Sequence, residues 1–452
     1  MADAASSSPK QTMAVRPKFT PSMRSSSSYL SDHQQYRPRA PEPVNHGMET
    51  AGDERAAFKG IPSEEKPPRI VESGVTHEFS HPNCTRAAGD PERLVATLLY
   101  KPAESRNGAP TAIDMAPTRD MDAFPLEPPA ADSEHLDHLY GSFVSPLCIT
   151  SFLHLMSTFP QARSDNQPHS SHRCLDSRDR PRVVELVLAP APSTSYLTLD
   201  DLRRHEAIFR FEREWSVDVA LQRDVVWRHH PRLVVFDMDS TLITQEVIEL
   251  LADTVKSPAD LSARVASITQ RAMQGEIEFE ASFRERMALL RGLDASLFEE
   301  LRQRLNLTPG AAQLIRALKR LGVKTAVLSG GFQPLTEWLA GELGIDHAHA
   351  NQVAVADGKL TGETLGTIVG KERKRDLLVE IAAKEKIDLQ QVVAIGDGAN
   401  DLLMLEKAGL GVAWKAKPRV QMEADVRLNG ESMLDLLHLF GFTREEIDLL
   451  VE

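Results

Sequence analysis

Cysteine is almost missing from this chain: Cys84, Cys148 and Cys174 are three among 452 residues, too few and too scattered for a disulfide framework or a thiolate metal cluster. That scarcity suits a reducing compartment, and the cytoplasm is the expected location. The sequence also lacks an apolar run long enough to cross a bilayer, and its first residues lack the apolar core of a secretory signal. Basic residues are outnumbered, 52 Lys and Arg against 65 Asp and Glu. The resulting net charge of -13 argues against a nucleic-acid partner, whose phosphates need a basic surface. What is present is ordinary globular composition, 41% hydrophobic and 26% charged, in a chain too long for one compact core.

Residues 1–93 are rich in Ser, Pro and charge with almost no apolar periodicity, so a disordered leader is expected. Lys10, Arg16, Lys18 and Arg24 with few acids leave two readings open, an organelle transit peptide or an untargeted tail. Residues 94–223 read as a small α+β domain: strand at 94–100, a Pro/Asp-rich insertion near 102–129, helix at 148–156, strand at 183–188, helix at 199–215 and strand at 217–221. Residues 224–452 change to a repeated strand-then-helix pattern, which implies a parallel sheet covered on both faces. Its strands are expected at 233–236, 324–328, 392–395, 411–414 and 425–428. A helix is expected at 309–321, a hairpin excursion around Asp357-Gly358, and a helical cap without strands over about 246–305.

Carboxylates stand where two of these apolar strands end. Phe236-Asp237-Met238-Asp239-Ser240-Thr241 follows the first, and Gly396-Asp397-Gly398-Ala399-Asn400-Asp401 follows the third. Packing never asks for acids there, whereas an open parallel sheet binds its ligands at that end. Two acids one residue apart can divide the hydrolysis of a phosphate ester, Asp237 as nucleophile and Asp239 as proton donor and acceptor. Such chemistry needs a cation, and Mg2+ prefers a few hard oxygens, here Asp237, Asp397 and Asp401. Ser329-Gly330-Gly331 ends the second strand with a hydroxyl and backbone N–H groups able to hold phosphoryl oxygens, although taken alone it reads as a turn. A lysine must neutralise the phosphate; the run Lys371-Glu372-Arg373-Lys374-Arg375 supplies candidates, and spacing alone does not separate them.

Together these motifs resemble the haloacid dehalogenase (HAD) superfamily, and within it the phosphoserine phosphatase family. The resemblance spans about 231–437. It implies a HAD-like Rossmannoid parallel sheet with the cap inserted after the first strand, an aspartyl-phosphate intermediate, Mg2+ dependence, and hydrolysis of O-phospho-L-serine as the last step of serine biosynthesis. It further implies that Glu246 and Arg286 hold the ammonium and carboxylate of the substrate, that Met273 and Phe279 close over it, and that Asn400 positions the phosphoryl group. Lys374 in Lys374-Arg375-Asp376-Leu377-Leu378 fits the phosphate-binding position except at Arg375, with Lys371 the alternative. Asp401 is expected to orient the metal's ligands rather than bind it. By element order alone the 94–223 region is similar to an ACT-like amino-acid-binding regulatory domain, and a homodimer is the expected assembly. Rival readings are a related phosphatase or phosphotransferase for another small phosphate, and an amino-acid sensor with an idle catalytic domain.

Overall fold

The computed structural model describes residues 93–101, 136–161, 170–193, 195–255, 260–273 and 276–452. The expected disordered leader, apart from Arg93, and the expected insertion near 102–129 lie outside the described residues.

Two sheets organise the fold. The first contains β1 (Leu94–Tyr100), β2 (Ser171–Cys174), β3 (Val183–Leu188) and β4 (Val217–Arg223), antiparallel in the order β2-β3-β1-β4. Helices α1 (Pro146–Thr158), α2 (Leu199–Arg203) and α3 (Glu206–Trp215) complete a β-α-β-β-α-β chain path. Ser145 starts α1 by accepting the Cys148 N–H, with Pro146 in the first turn. Two details depart from expectation. The edge strand β2, Ser-His-Arg-Cys, has no apolar alternation by which to find it. The single helix expected over 199–215 is broken at Arg204 and His205, because the His205 ring accepts the Ala207 N–H and caps a new helix.

Alternation along these strands divides their side chains between two cores. Leu98, Val184 and Val219 pack with Phe152, Phe211 and Trp215. Their neighbours Leu99, Val183 and Ala220 point the other way and join the core of the second sheet. The small sheet is therefore buried on both faces.

The second sheet has seven strands in the order β11-β10-β9-β5-β6-β7-β8. They are β5 (Leu233–Phe236), β6 (Lys324–Phe332), β7 (His347–Ala356), β8 (Lys359–Leu365), β9 (Val392–Gly396), β10 (Leu410–Trp414) and β11 (Val426–Leu428). All pairings are parallel except β7 with β8. Along β5, Leu233 and Val235 pack with Leu377, Leu378 and Met404, while Val234 and Phe236 pack with Leu314, Ile315 and Leu335 on the opposite face. This two-sided burial explains why the strand reads as an unbroken apolar run.

Between β5 and β6 lie α4 (Val247–Thr254), α5 (Leu261–Met273), α6 (Phe279–Leu289) and α7 (Leu297–Arg302). The sheet is flanked by α8 (Ala311–Arg320), α9 (Gln333–Leu343), α10 (Lys371–Glu385), α11 (Leu402–Lys407) and α12 (Pro418–Glu423). Helix α8 begins only after Gly310, whose φ of 83° places Pro309 outside the helix rather than in its first turn. The Asp357-Gly358 turn, φ 52° and 74°, joins strands longer than expected, and because β7 also pairs with β6 the hairpin is the edge of the sheet itself. Among the described residues no helix is long and apolar enough to cross a membrane.

Candidate active site

Strand order assembles the acids. β5 lies between β9 and β6, with Phe236 in register with Ile395 and Val327. The residues that follow therefore emerge side by side at the carboxyl ends, Asp237 beside Asp397, with Ser329 in the strand on the other flank. Asp237, Asp397 and Asp401 are all buried, and each offers a carboxylate oxygen within 4.8 Å of the others. Such a hard-oxygen set fits Mg2+, which takes one or two carboxylates and completes its shell with water and substrate oxygens.

Lys374 projects from α10 into this group and is fully buried, its Nζ 2.7 Å from Asp237 Oδ1 and 2.7 Å from Asp401 Oδ1. Lys371, one turn earlier, has a half-exposed side chain 3.7 Å from Glu372. Asp401 has both oxygens engaged: Oδ1 takes Lys374, and Oδ2 accepts the Gly398 N–H at 3.0 Å. Asp237 takes both Lys374 and the Met238 N–H on Oδ1, which leaves its Oδ2 to face a cation, and Asp397 meets Lys417 only at 3.7 Å. A Cβ at Gly396 would lie 2.5 Å from Asp401 Cγ, and one at Gly398 2.3 Å from Asn400 Oδ1, so both positions need glycine for those side chains to fold back over the turn.

After Asp237 the chain kinks through Ser240, φ 53°. Asp239 turns toward the cap and its Oδ1 accepts the Val247 N–H at 3.3 Å. Ser240 Oγ donates to Glu246 Oε1 at 2.9 Å, fixing that carboxylate at the start of α4. The Gly331 N–H donates to Ser329 Oγ at 2.8 Å, and a Cβ on Gly331 would meet Asp239 Oδ2 at 3.3 Å. The Ser-Gly-Gly segment thus lies directly against Asp239; it is an irregular stretch within β6, which runs on to Phe332, and not a turn beyond a strand ending at 328. Phe279, at the start of α6, rests over Gly330, where a Cβ would approach its ring to 3.2 Å. Arg286 lies two turns further along α6, donates through Nε to Ser282 O at 3.3 Å, and is close enough to Glu246, Glu249 and Asp239 to feel their charges. Met273 ends α5; its side chain lies outside the described placement.

The electrostatics are lopsided. Burial, and then the charge of Asp401, raise the Asp237 carboxyl well above its ordinary range, with Lys374 opposing. Burial and Glu246 do the same to Asp239. Burial and Asp401 push Asp397 up to about 7. Burial alone would discharge Lys374, but Asp237 and Asp401 overcome it and hold the ammonium firmly charged. Four carboxylates around one buried lysine leave an unbalanced negative charge that a divalent cation would offset.

Sequence reasoning missed three supporting residues. Asn351 on β7 donates to Gly330 O at 2.9 Å and accepts the Val369 N–H at 2.7 Å, bracing the Ser-Gly-Gly segment of β6. Ser240 was visible in the motif but carried no signal of its bond to Glu246. Lys417, on the loop after β10, brings Nζ to 3.7 Å from Asp397 Oδ2, and no local pattern marks it. A cavity of about 850 Å³ lies elsewhere, between the two sheets at the amino ends of β9 and β10, lined by Arg203, Arg223, Arg228, Glu406 and Asp425 among others. The carboxylate cluster takes no part in it.

Residues 234–406 match the haloacid dehalogenase-like hydrolase family. A phosphoserine phosphatase of Streptomyces coelicolor is 49% identical over 233 residues, 52% of this chain and 56% of its own length. A phosphoserine phosphatase of Saccharomyces cerevisiae is 43% identical over 234 residues, 51% of this chain and 74% of its own. The matched region thus spans little more than half of the Streptomyces relative. Among solved structures, a HAD family hydrolase from Salmonella enterica superposes with a TM-score of 0.54 at 26% identity, covering 77% of this chain and 98% of its own, more of this chain than residues 224–452 could supply.

Proposed function

We propose that this chain, which belongs to the haloacid dehalogenase-like hydrolase family, hydrolyses O-phospho-L-serine to L-serine and phosphate, as the last step of serine synthesis in the cytoplasm. The observation that carries the reading is the excess of buried carboxylate at two adjacent strand ends, with a single buried lysine among them.

Asp237 Oδ attacks phosphorus, the bond to the serine oxygen breaks, and Asp239 gives that oxygen its proton. Asp239 then takes a proton from water, whose oxygen attacks the aspartyl phosphate and releases Asp237. The raised carboxyl of Asp239 suits a group that must begin the cycle protonated. Ser329 Oγ, the Gly330 and Gly331 backbone and Lys374 hold phosphoryl oxygens, with Asn400 alongside. Asp237, Asp397 and the Asp239 backbone carbonyl would hold Mg2+, with Asp401 orienting them; when bound, the ion masks the phosphate charge that repels a carboxylate nucleophile. Glu246 faces the ammonium and Arg286 the carboxylate of the amino acid, a pairing that a sugar phosphate could not use. Met273 and Phe279 cover the substrate.

The test is phosphate release from a panel of phospho-amino acids and sugar phosphates, with Mg2+ and after chelation. Strong preference for phosphoserine, lost on chelation, supports the reading. Equal turnover of sugar phosphates would refute the substrate, and transfer of the phosphoryl group to an added alcohol would refute hydrolysis.

A further inference from the structure

From Asp397 an unbroken path of hydrogen bonds runs out of the seven-stranded sheet and into the four-stranded one. It starts at the loop after β10, where the Lys417 N–H donates to Asp397 O at 3.0 Å and the Lys417 ammonium stands 3.7 Å from Asp397 Oδ2. Lys415, φ 41°, bends this loop back against β11 through its N–H to Leu428 O at 2.9 Å. Gln421, buried on α12, grips the same loop twice: its Nε2 donates to Ala416 O at 2.7 Å, and its N–H donates to Lys417 O at 3.1 Å. Gln421 Oε1 accepts from Asn429 Nδ2 at 3.2 Å. Asn429, just past β11, gives that same amide to Asp218 Oδ1 at 3.0 Å and its backbone N–H to Asp218 Oδ2 at 2.7 Å. Asp218 belongs to β4 of the other sheet, where Lys101 holds it at 3.1 Å.

Every side chain from Asp218 to Gln421 is at most 2% exposed, so water cannot replace these bonds when one is cut. A parallel tie stiffens the same junction. Arg427 of β11 pairs with Glu212 of α3 at 3.0 Å, donates to Gln421 O at 3.3 Å, and lies over the Phe209 ring. β4 is packed on both faces and all three residues of β11 are buried, which leaves little slack for the path to relax.

Taking the proposed phosphatase reading as given, we infer that Asp218, through Asn429 and Gln421, is a positioning residue for the Asp397 end of the metal site. The small sheet is then part of the apparatus that sets cation affinity, although none of its residues touches substrate. Partners behind a metal ligand commonly change metal affinity about 10–100-fold when removed, and a path this long should act near the lower bound.

The full chain is the material for the test, with Mg2+ as the probe and direct calorimetric titration as the readout, beside kcat and KM for phosphoserine at saturating Mg2+. Asn429→Ser is the central variant, because it keeps the backbone N–H bond that docks β11 on Asp218 and removes only the amide link. Gln421→Met cuts the path inside the catalytic half, and Asp218→Asn weakens it at the far end. Each should weaken Mg2+ binding roughly tenfold in a protein that still unfolds cooperatively, with a smaller change in KM for phosphoserine. Should Asp218→Asn fail to fold, Asn429→Ser alone decides the matter. Unchanged Mg2+ affinity in Asn429→Ser, or weakening in Gln421→Met alone, would overturn the inference. A parent chain that binds no Mg2+ at all would instead bring down the phosphatase reading and the inference with it.

Discussion

Two buried carboxylate clusters in this molecule carry opposite signatures. Glu185 on β3 lies between Arg173, 2.7 Å away, and Arg228, so that although burial works against its charge, the two guanidiniums hold the carboxyl well below its ordinary range. Arg173 also donates to Gly441 O, and His229 beside Arg228 bonds Phe440 O, so the cluster ties the small sheet to the C-terminal segment. At the strand ends, Asp237, Asp239 and Asp397 share one buried lysine with Asp401, and burial raises all three. Charge that is balanced by the protein's own residues serves architecture. Charge left unbalanced at a sheet's ligand-binding end is where a cation and a phosphate would complete the arrangement.

That contrast can be broken at four places. Asp237→Asn should reduce phosphoserine turnover at least about a thousandfold while the unfolding temperature holds or rises, because a nucleophile and a disfavoured buried charge are removed together. Retained turnover would cancel the role given to Asp237. Glu185→Gln should act in the reverse sense, leaving Mg2+ binding intact but losing about 3–5 kcal/mol in denaturant unfolding, since two arginines lose their partner. Arg286→Lys keeps the charge but not the planar fork; kcat/KM for phosphoserine should fall roughly 10–100-fold, while a phosphate ester without an amino-acid head is spared. An equal loss on both substrates would make Arg286 a structural residue.

The last effect concerns pH. Asp397 is raised from 3.8 to about 7, so the folded state binds its proton more tightly than the unfolded state, and its contribution to stability falls as pH climbs through that window. In chelated protein, Asp397→Asn should therefore stabilise more at pH 7.5 than at pH 5, by on the order of 2–3 kcal/mol. Glu185, with its lowered carboxyl, has the reverse sign: its contribution is full above the ordinary carboxylate range and is lost progressively as pH falls from that range down through the carboxyl's lowered value. An Asp397→Asn difference that does not grow with pH would remove the contrast between the clusters.

The parallel sheet was readable because its early strands are apolar runs that give way to an acid or a hydroxyl, and Leu233–Phe236 and Val392–Gly396 lie where periodicity put them, while β6 runs on past Ser329 to Phe332. Asp237, Asp397 and Ser329 were legible for the same reason: they break a pattern. Strand β2 was not, since an edge strand of Ser, His, Arg and Cys breaks none. Lys371 and Lys374 could not be separated by spacing, because only the packing of α10 decides which one is buried. Asn351, Lys417, Gln421 and Asn429 were invisible because their importance is purely tertiary; each is an ordinary polar residue until the sheet order brings its partner within reach.

The phosphoryl group itself offers the most direct test. Chain mixed with Mg2+ and phosphoserine, quenched in acid within a turnover and reduced with borohydride, would mark any acyl phosphate as a changed residue detectable by peptide mass. The label should fall on Asp237 and be absent from Asp237→Asn. Label on Asp239 or Asp397, or none under conditions of rapid phosphate release, would contradict the assignment of that strand-end carboxylate as the nucleophile.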